Sequence, residues 1–387
     1  MQNFTFENTT KIVFGRGQIK KIGCEAAQFG KKVLLIYGRG SVKRSGVYDQ
    51  VVASLTEADI EWVEFPGVKS NPVLSHALKG IEIAKREGVD AVLAVGGGSV
   101  IDTAKTIAVG AKTDDDIWDY FLRVKTIQDA LPVLTVLTIS ASASEMNQAA
   151  VITKEEENRK FSIRSPFIQP KTSILDPEAL FSLSPSYSAY SAVDAITHML
   201  EGYFNNKEPN SPLQDRLVEG LIKTIMESTE TILREPANYD ARADMMWAAT
   251  LAFNGLTTAG MGMISLPAHM IEHSLSAIYD IAHGAGLSIV LPGWMLYAVE
   301  NNPAKFAQLG RVIFSIDEDD NLKAGVEGIH RLKGWFASIG SPVSLEEADI
   351  PETDIARIAE NACVLAQAWG LRDYTEEIIV NILMRCR

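Results

Sequence analysis

Histidine is scarce in this chain, six among 387 residues, yet His269, His273 and His283 fall inside one stretch, "SLPAHMIEHSLSAIYDIAHG" (265 to 284). A fourth, His198, stands four residues after Asp194 in "YSAVDAITHMLEGY". A spacing of four puts two side chains on one face of a helix, and His269 and His273 repeat it. An isolated buried histidine is usually a hydrogen-bonded core residue, but two such pairs and a further histidine in one half of a chain suggest a metal. One carboxylate with several imidazoles suits Zn²⁺ or Fe²⁺ and is too rich in nitrogen for Mg²⁺ or Ca²⁺. Continuous helix would separate His269 from His283 by about 21 Å, at roughly 1.5 Å per residue, too far for two ligands of one ion. If both bind one metal, the helix carrying His273 must end before His283, near "AIYD" (277 to 280), and the chain must turn back. Gly284 and Gly286 offer flexibility just beyond.

A second chemistry is suggested by "DAVLAVGGGSVIDTAKTIAV", where an apolar strand runs into Gly96, Gly97 and Gly98. Ser99 then opens a helix, and Asp102 completes a capping-box-like pair with it. Glycines at a strand-to-helix turn let backbone N–H groups approach a ligand, and the helix N-terminus favours negative charge, so the turn suits a pyrophosphate. A tight turn with no ligand would use the same residues. In "LLIYGRGSVKRSG", Gly38 and Gly40 are present but the third glycine of GxGxxG is missing. A fingerprint reading would take Glu64, at the end of the next strand, for a ribose 2′-hydroxyl and so choose NAD(H). The turn itself carries no carboxylate and offers Arg39, Ser41 and Lys43, a set that suits a 2′-phosphate and favours NADP(H). The alternative for the two cations is a solvated basic loop.

The elements that must hold these residues divide into two kinds. Short β-branched runs at 33 to 37, 60 to 65, 91 to 95 and 133 to 139 alternate with helical patterns near 45 to 57, 73 to 87 and 99 to 110, which predicts parallel strands with helical crossovers. After "DPEALFSLSPS" (176 to 186) the β-rich runs stop and helical patterns continue to the end. The expected fold is therefore an α/β domain, residues 1–182, with a Rossmann-like parallel sheet, followed by an all-helical domain, residues 183–387, that binds the metal. A metal facing a nucleotide across a cleft follows from that division.

The formal charge of −13 opposes nonspecific attraction to nucleic acid or anionic membrane, leaving a small molecule as the expected partner. Cys24, Cys363 and Cys386 have no disulfide or metal-ligand spacing, which fits a reducing cytoplasm. The N-terminal "MQNFTFENTT" lacks the regions of a signal peptide, and no apolar run is long enough to span a bilayer. The acidic stretches at 113 to 116 and 317 to 320 read as solvated loops.

With "GGGSVIDTAK", "LTISASASEMN", "LDPEAL", "DAITHMLE" and histidine gaps of four and ten in hand, the chain resembles the iron-containing (group III) alcohol dehydrogenases, in particular their NADP-dependent butanol dehydrogenase and aldehyde reductase branch. The resemblance implies one divalent metal, Fe²⁺ or Zn²⁺, held by Asp194, His198, His269 and His283, with His273 beside it as a catalytic residue, a candidate for substrate positioning or proton relay. It implies cofactor contacts at Gly96 to Ser99, Asp102, Asn71, Thr138, Ser142, Asn147 and Lys160, and at the 38 to 43 turn. An aspartate stands at the place of Gly38 in NAD-using members, so the resemblance also favours NADP(H) over NAD(H). A homodimer or larger homo-oligomer is implied as well. "TISASASE" departs from the family's usual TTxGTGSE, with Ala143 in place of glycine and Ser142 in place of threonine.

The expected reaction is hydride transfer between a nicotinamide and a small primary alcohol or aldehyde, butanol-like in size, polarised by the metal. A glycerol or diol dehydrogenase of the same superfamily is a close alternative. A dehydroquinate synthase-like lyase would need basic residues for an anionic substrate, and residues 245 to 270 contain no Lys or Arg. A noncatalytic metal or nucleotide sensor has no need for all five of these side chains. Within that apolar stretch, Trp247, Phe253 and Met261 read as core residues before pocket residues.

Overall fold

The computed structural model describes residues 1–206 and 211–387. Among the described residues eight strands are formed: β1 Lys11–Phe14, β2 Lys32–Gly38, β3 Glu61–Val68, β4 Ala91–Gly96, β5 Val133–Leu137, β6 Ala149–Lys154, β7 Arg159–Arg164 and β8 Thr172–Leu175. Counting helices of eight residues or more, α1 is Val47–Glu57, α2 Leu74–Glu87, α3 Gly98–Gly110, α4 Pro185–Phe204, α5 Pro212–Arg234 and α6 Tyr239–Ala252. They continue with α7 Pro267–Tyr279, α8 His283–Ala298, α9 Pro303–Phe314, α10 Asn321–Ser338, α11 Ile355–Trp369 and α12 Glu376–Leu383.

The chain forms two compact units, and neither is contiguous in sequence. One comprises residues 7–183 with 235–250, the other residues 1–6, 184–234 and 251–387. The division expected at 182/183 therefore differs in two segments: most of α6 belongs with the sheet, and the first six residues belong with the helices. Packing accounts for the first exchange. Thr250 on α6 donates to the buried Glu145 at 2.6 Å, and Trp247 meets Phe14 of β1 edge to face at 6.1 Å.

In the first unit, six parallel strands lie in the order β1-β8-β5-β4-β2-β3. The central strands "VLLIY" and "AVLAV" are buried throughout, as strands covered by helices on both faces must be. The short strands β1 and β8 and the antiparallel β6–β7 hairpin lack a long alternating pattern, and no sequence expectation covered them. Strands β5, β4 and β2 are neighbours in register, Tyr37 opposite Val95 and Gly96 opposite Leu137, so their C-terminal ends share one sheet edge. Ligands of open α/β sheets bind along such an edge.

The second unit is helical. Ser184 starts α4 by accepting from the Tyr187 amide, with Pro185 in the first helical position, so the Ser/Pro cluster read as a boundary is the start signal of the helix carrying Asp194 and His198. Among the described residues no helix is long and apolar enough to cross a membrane.

Candidate metal centre and cofactor turn

Helix α7 ends at Tyr279, and Asp280 takes the left-handed conformation at φ 53°. Aspartate tolerates that region better than most residues, which lets the chain reverse without a glycine. Helix α8 then begins at His283 itself. Gly284 and Gly286 do not act as flexible points: they are helical and serve close packing. A Cβ at Gly284 would lie 2.1 Å from the Tyr190 carbonyl oxygen of α4, and one at Gly286 would lie 2.7 Å from the Glu272 side chain.

The reversal brings His269 and His283 together, their ring centroids 5.2 Å apart, while His269 lies 4.2 Å from His198. Asp194 is the common point. Its Oδ1 is 3.0 Å from His198 Nδ1, 3.6 Å from His269 Nε2 and 3.7 Å from His283 Nε2. Asp194 Oδ1 and His269 Nε2 are buried without a hydrogen-bond partner. A buried polar atom left in that state costs about 1–3 kcal/mol, so two of them aimed at one point fit a cation. Burial raises the Asp194 carboxyl, but the surrounding imidazoles outweigh it and hold the group well below its usual range. Burial lowers His269, yet the Glu201 and Asp194 carboxylates carry it up to about 10. His198 is pushed down by burial. The pocket is thus built to contain positive charge.

Two carboxylates that the sequence reading missed hold the His269 and His283 rings. Glu201 and Glu272 are both fully buried, and they bond the Nδ1 atoms of His269 and His283 respectively. Carboxylate–imidazole pairs of this kind leave Nε2 to face a metal and set the ring's orientation. Glu201 also accepts from the amides of Ala268 and His269 at 2.5 and 3.3 Å, capping a helix whose own N-cap, Leu266, has no side-chain acceptor. The signal was available: on α4 Glu201 follows Asp194 by seven residues and His198 by three, and on α7 Glu272 follows His269 by three, each set on one face of its own helix. Glu272, His273 and His283 form a second grouping within ligand distance. Glu272 already bonds His283 and Ser276, so the orphaned atoms single out the Asp194 set.

His273 is buried, with its ring 5.6 Å from that of His283 and edge-on to Trp369 at 5.4 Å. Phe253 packs on His198 at 4.3 Å, and Met261 is buried in the core. Trp247 is 38% exposed, which corrects its core reading; it sits on the outward side of α6 where Phe14 only partly covers it.

In the other unit, α3 starts at Gly98, one residue before the expected Ser99, and no side chain caps it. The capping-box reading is corrected: the Ser99 hydroxyl donates to the Ser70 carbonyl, while Asp102 accepts from Ser144 at 2.6 Å and from the Val151 amide at 3.0 Å. Leaving the first turn of α3 uncapped by side chains suits an anion. The Thr138 amide bonds the Gly96 carbonyl at 3.0 Å, and a Cβ at Gly98 would meet the Ser142 hydroxyl at 2.4 Å, so Thr138 and Ser142 border the glycine turn. Asn147 is occupied in holding the loop: it donates to the Ser142 carbonyl and accepts from Lys105 and the Ala149 amide, each at 3.0 Å. Lys105 is fully buried and also bonds Ser144 and two backbone carbonyls. Lys160 donates to Asn71 at 3.2 Å. Gly38 ends β2, Arg39 is exposed, Gly40 has φ 122°, and Ser41 begins a short helical turn that includes Lys43. Lys43 is exposed and is paired with Glu64.

The family model described as "Iron-containing alcohol dehydrogenase" matches residues 9–177, and "Fe-containing alcohol dehydrogenase family, C-terminal" matches residues 188–386. A probable NADH-dependent butanol dehydrogenase 1 of Bacillus subtilis is 40% identical, over 99% of both chains. The NADPH-dependent aldehyde reductase YqhD of Escherichia coli is 35% identical, over 92% of this chain and 91% of its own. The crystal structure of an NADH-dependent butanol dehydrogenase A from Thermotoga maritima superposes with a TM-score of 0.96 at 46% identity, covering 100% of this chain and 99% of that one. The paired family models, the full-length relatives and the shared fold establish that this chain belongs to the iron-containing alcohol dehydrogenase family.

Proposed function

We propose that this protein interconverts small primary alcohols and aldehydes, with Asp194, His198, His269 and His283 holding one Fe²⁺ or Zn²⁺ and with NADP(H) preferred over NAD(H). The convergence of Asp194 Oδ1 and His269 Nε2, buried and otherwise without partners, is the observation that carries the metal reading. When bound, a divalent metal supplies Lewis acidity at the substrate oxygen and a nicotinamide supplies or accepts hydride. The chain's own residues do the rest. Glu201 and Glu272 keep the His269 and His283 rings from turning. His273, buried beside them, takes up or releases the proton that accompanies hydride transfer. The stretch from 245 to 270, which carries Phe253 and His269, contains no Lys or Arg, and this favours a neutral substrate over a charged one. On the cofactor side the first turn of α3 and Ser142 would receive the pyrophosphate, with Asn71 and Lys160 beside it.

The NADP(H) preference draws on the missing carboxylate at Gly38 and on exposed Arg39, while Glu64 is engaged elsewhere. Relatives bear names of both kinds. Butanal reduction by apoprotein reloaded with Fe²⁺ or Zn²⁺, assayed with NADPH and NADH, tests both parts. Turnover that needs the metal and is faster with NADPH is expected; faster turnover with NADH would refute the cofactor preference, and turnover without metal would refute the centre.

A further inference from the structure

Glu64 occupies the centre of a small polar cluster beside the 38 to 43 turn. Its carboxylate accepts from the hydroxyls of Tyr37 and Tyr48 and from Lys43 Nζ, the last at 3.1 Å. The ammonium of Lys43 also lies over both rings, 5.1 Å from the Tyr37 centroid and 4.3 Å from that of Tyr48. The rings meet edge to face at 5.6 Å, which fixes the two hydroxyls that grip the carboxylate. Hydrogen bonds from Tyr37 and Tyr48 lower the Glu64 pKa, so the group is ionised at neutral pH. Its four lone-pair positions already serve three donors, leaving little for the two hydroxyls of a ribose. Its charge, meanwhile, opposes that of Lys43. Both side chains remain partly open to solvent, 46% for Lys43 and 38% for Glu64, so an incoming anion can reach the pair.

We propose that Glu64 sets cofactor selectivity in this chain by neutralising Lys43, so that the turn accepts NAD(H) as well as NADP(H) and draws less from a 2′-phosphate than its basic residues alone would give. This rests on the reading of the 38 to 43 turn as the adenosine-ribose end of the cofactor site. Tyr37 and Tyr48 act as positioning residues that hold the carboxylate against the ammonium. Removing the carboxylate's charge while keeping its shape leaves Lys43 free to meet the phosphate.

The test is calorimetric binding of NADP⁺ and NAD⁺ to metal-loaded protein without substrate, for the wild type, Glu64→Gln, Lys43→Met, the double variant of these two, and Arg39→Met. Glu64→Gln is expected to tighten NADP⁺ about fivefold, the scale of one partly exposed charge interaction, with NAD⁺ unchanged within twofold. The gain should shrink with added salt and vanish in the double variant. If Lys43→Met weakens NADP⁺ but Glu64→Gln alters neither cofactor, or alters both equally, the role given to Glu64 is overturned. If neither Lys43→Met nor Arg39→Met changes the ratio of the two affinities, the reading of the turn fails, and this inference with it.

Discussion

Glu201 grips His269 at two points: one carboxylate oxygen receives the amides of Ala268 and His269, and the other receives the imidazole Nδ1. One buried side chain therefore both starts α7 and aims its ligand. Replacing Glu201 or Glu272 by glutamine keeps the shape but removes the charge that holds the ring, so metal affinity should fall about 10–100-fold in each variant. Competition with a metal-sensitive dye measures it, and wild-type affinity in both variants would show that the carboxylates only fill space.

His273 lies beside His283, ring centroids 5.6 Å apart, and falls outside the grouping of Asp194, His198 and His269. Removing it with His273→Ala should leave metal occupancy intact and slow turnover by about 10²–10⁴-fold, the usual range for general acid–base catalysis. His269→Ala and Asp194→Ala should lose the metal outright. Elemental analysis of the purified variants separates the two roles, and full occupancy in both ligand variants would sink the assignment.

Gly284 permits α8 to lie on α4. An alanine Cβ there would lie 2.1 Å from backbone oxygen of Tyr190, which cannot swing aside as a side chain could. Gly284→Ala should destabilise the protein by about 3 kcal/mol, the upper end for overpacking, and weaken metal binding because His283 is the adjacent residue. Urea unfolding of the metal-free protein gives the first quantity independently of the second.

Ala143 adopts φ 52°, the left-handed conformation that glycine takes without strain. Glycine would relieve about 1–2 kcal/mol of strain. Against that stand about 0.8 kcal/mol for a buried methyl and about 0.4–1 kcal/mol for greater freedom in the unfolded chain. The terms nearly cancel, so Ala143→Gly should leave stability unchanged within about 1 kcal/mol. Ala143→Val, β-branched in that conformation and buried, should lose about 2 kcal/mol or more. A shift in the denaturation midpoint of the glycine variant comparable to that of the valine variant would contradict this accounting.

Lys105 is fully enclosed, and burial lowers its pKa from 10.5 to about 8 despite the nearby carboxylates of Asp102 and Glu145. Its folded value lies below its unfolded one, so between pH 8 and 10.5 the unfolded chain binds more protons than the native one. This group therefore adds stability as pH rises through that window and adds least below pH 8. The unfolding free energy of the wild type relative to Lys105→Met should increase from pH 7 to pH 10. A difference that stays flat with pH would show that Lys105 titrates normally.

Much of the molecule could be read along the chain because the signals are local. Apolar runs bounded by helical patterns marked β2 to β5, and spacings of four placed Asp194 with His198 and His269 with His273 on single helical faces. The expectation of a break before His283 followed from helical rise once His269 and His283 were read as ligands of one ion, and Asp280 supplies it. What the sequence could not determine depends on residues distant in the chain. Ser99 and Asp102 have the spacing of a capping box, but Ser70, Ser144 and Val151 offer them better partners once folded. Gly284 and Gly286 look flexible in a one-dimensional reading and prove to be points of close approach. Lys43 and Glu64, one helical turn and one strand apart, neutralise each other only because β2 and β3 are neighbours. Residue type and spacing decided which atoms could bind a cation; burial and tertiary contact decided which of them were left without a hydrogen-bond partner.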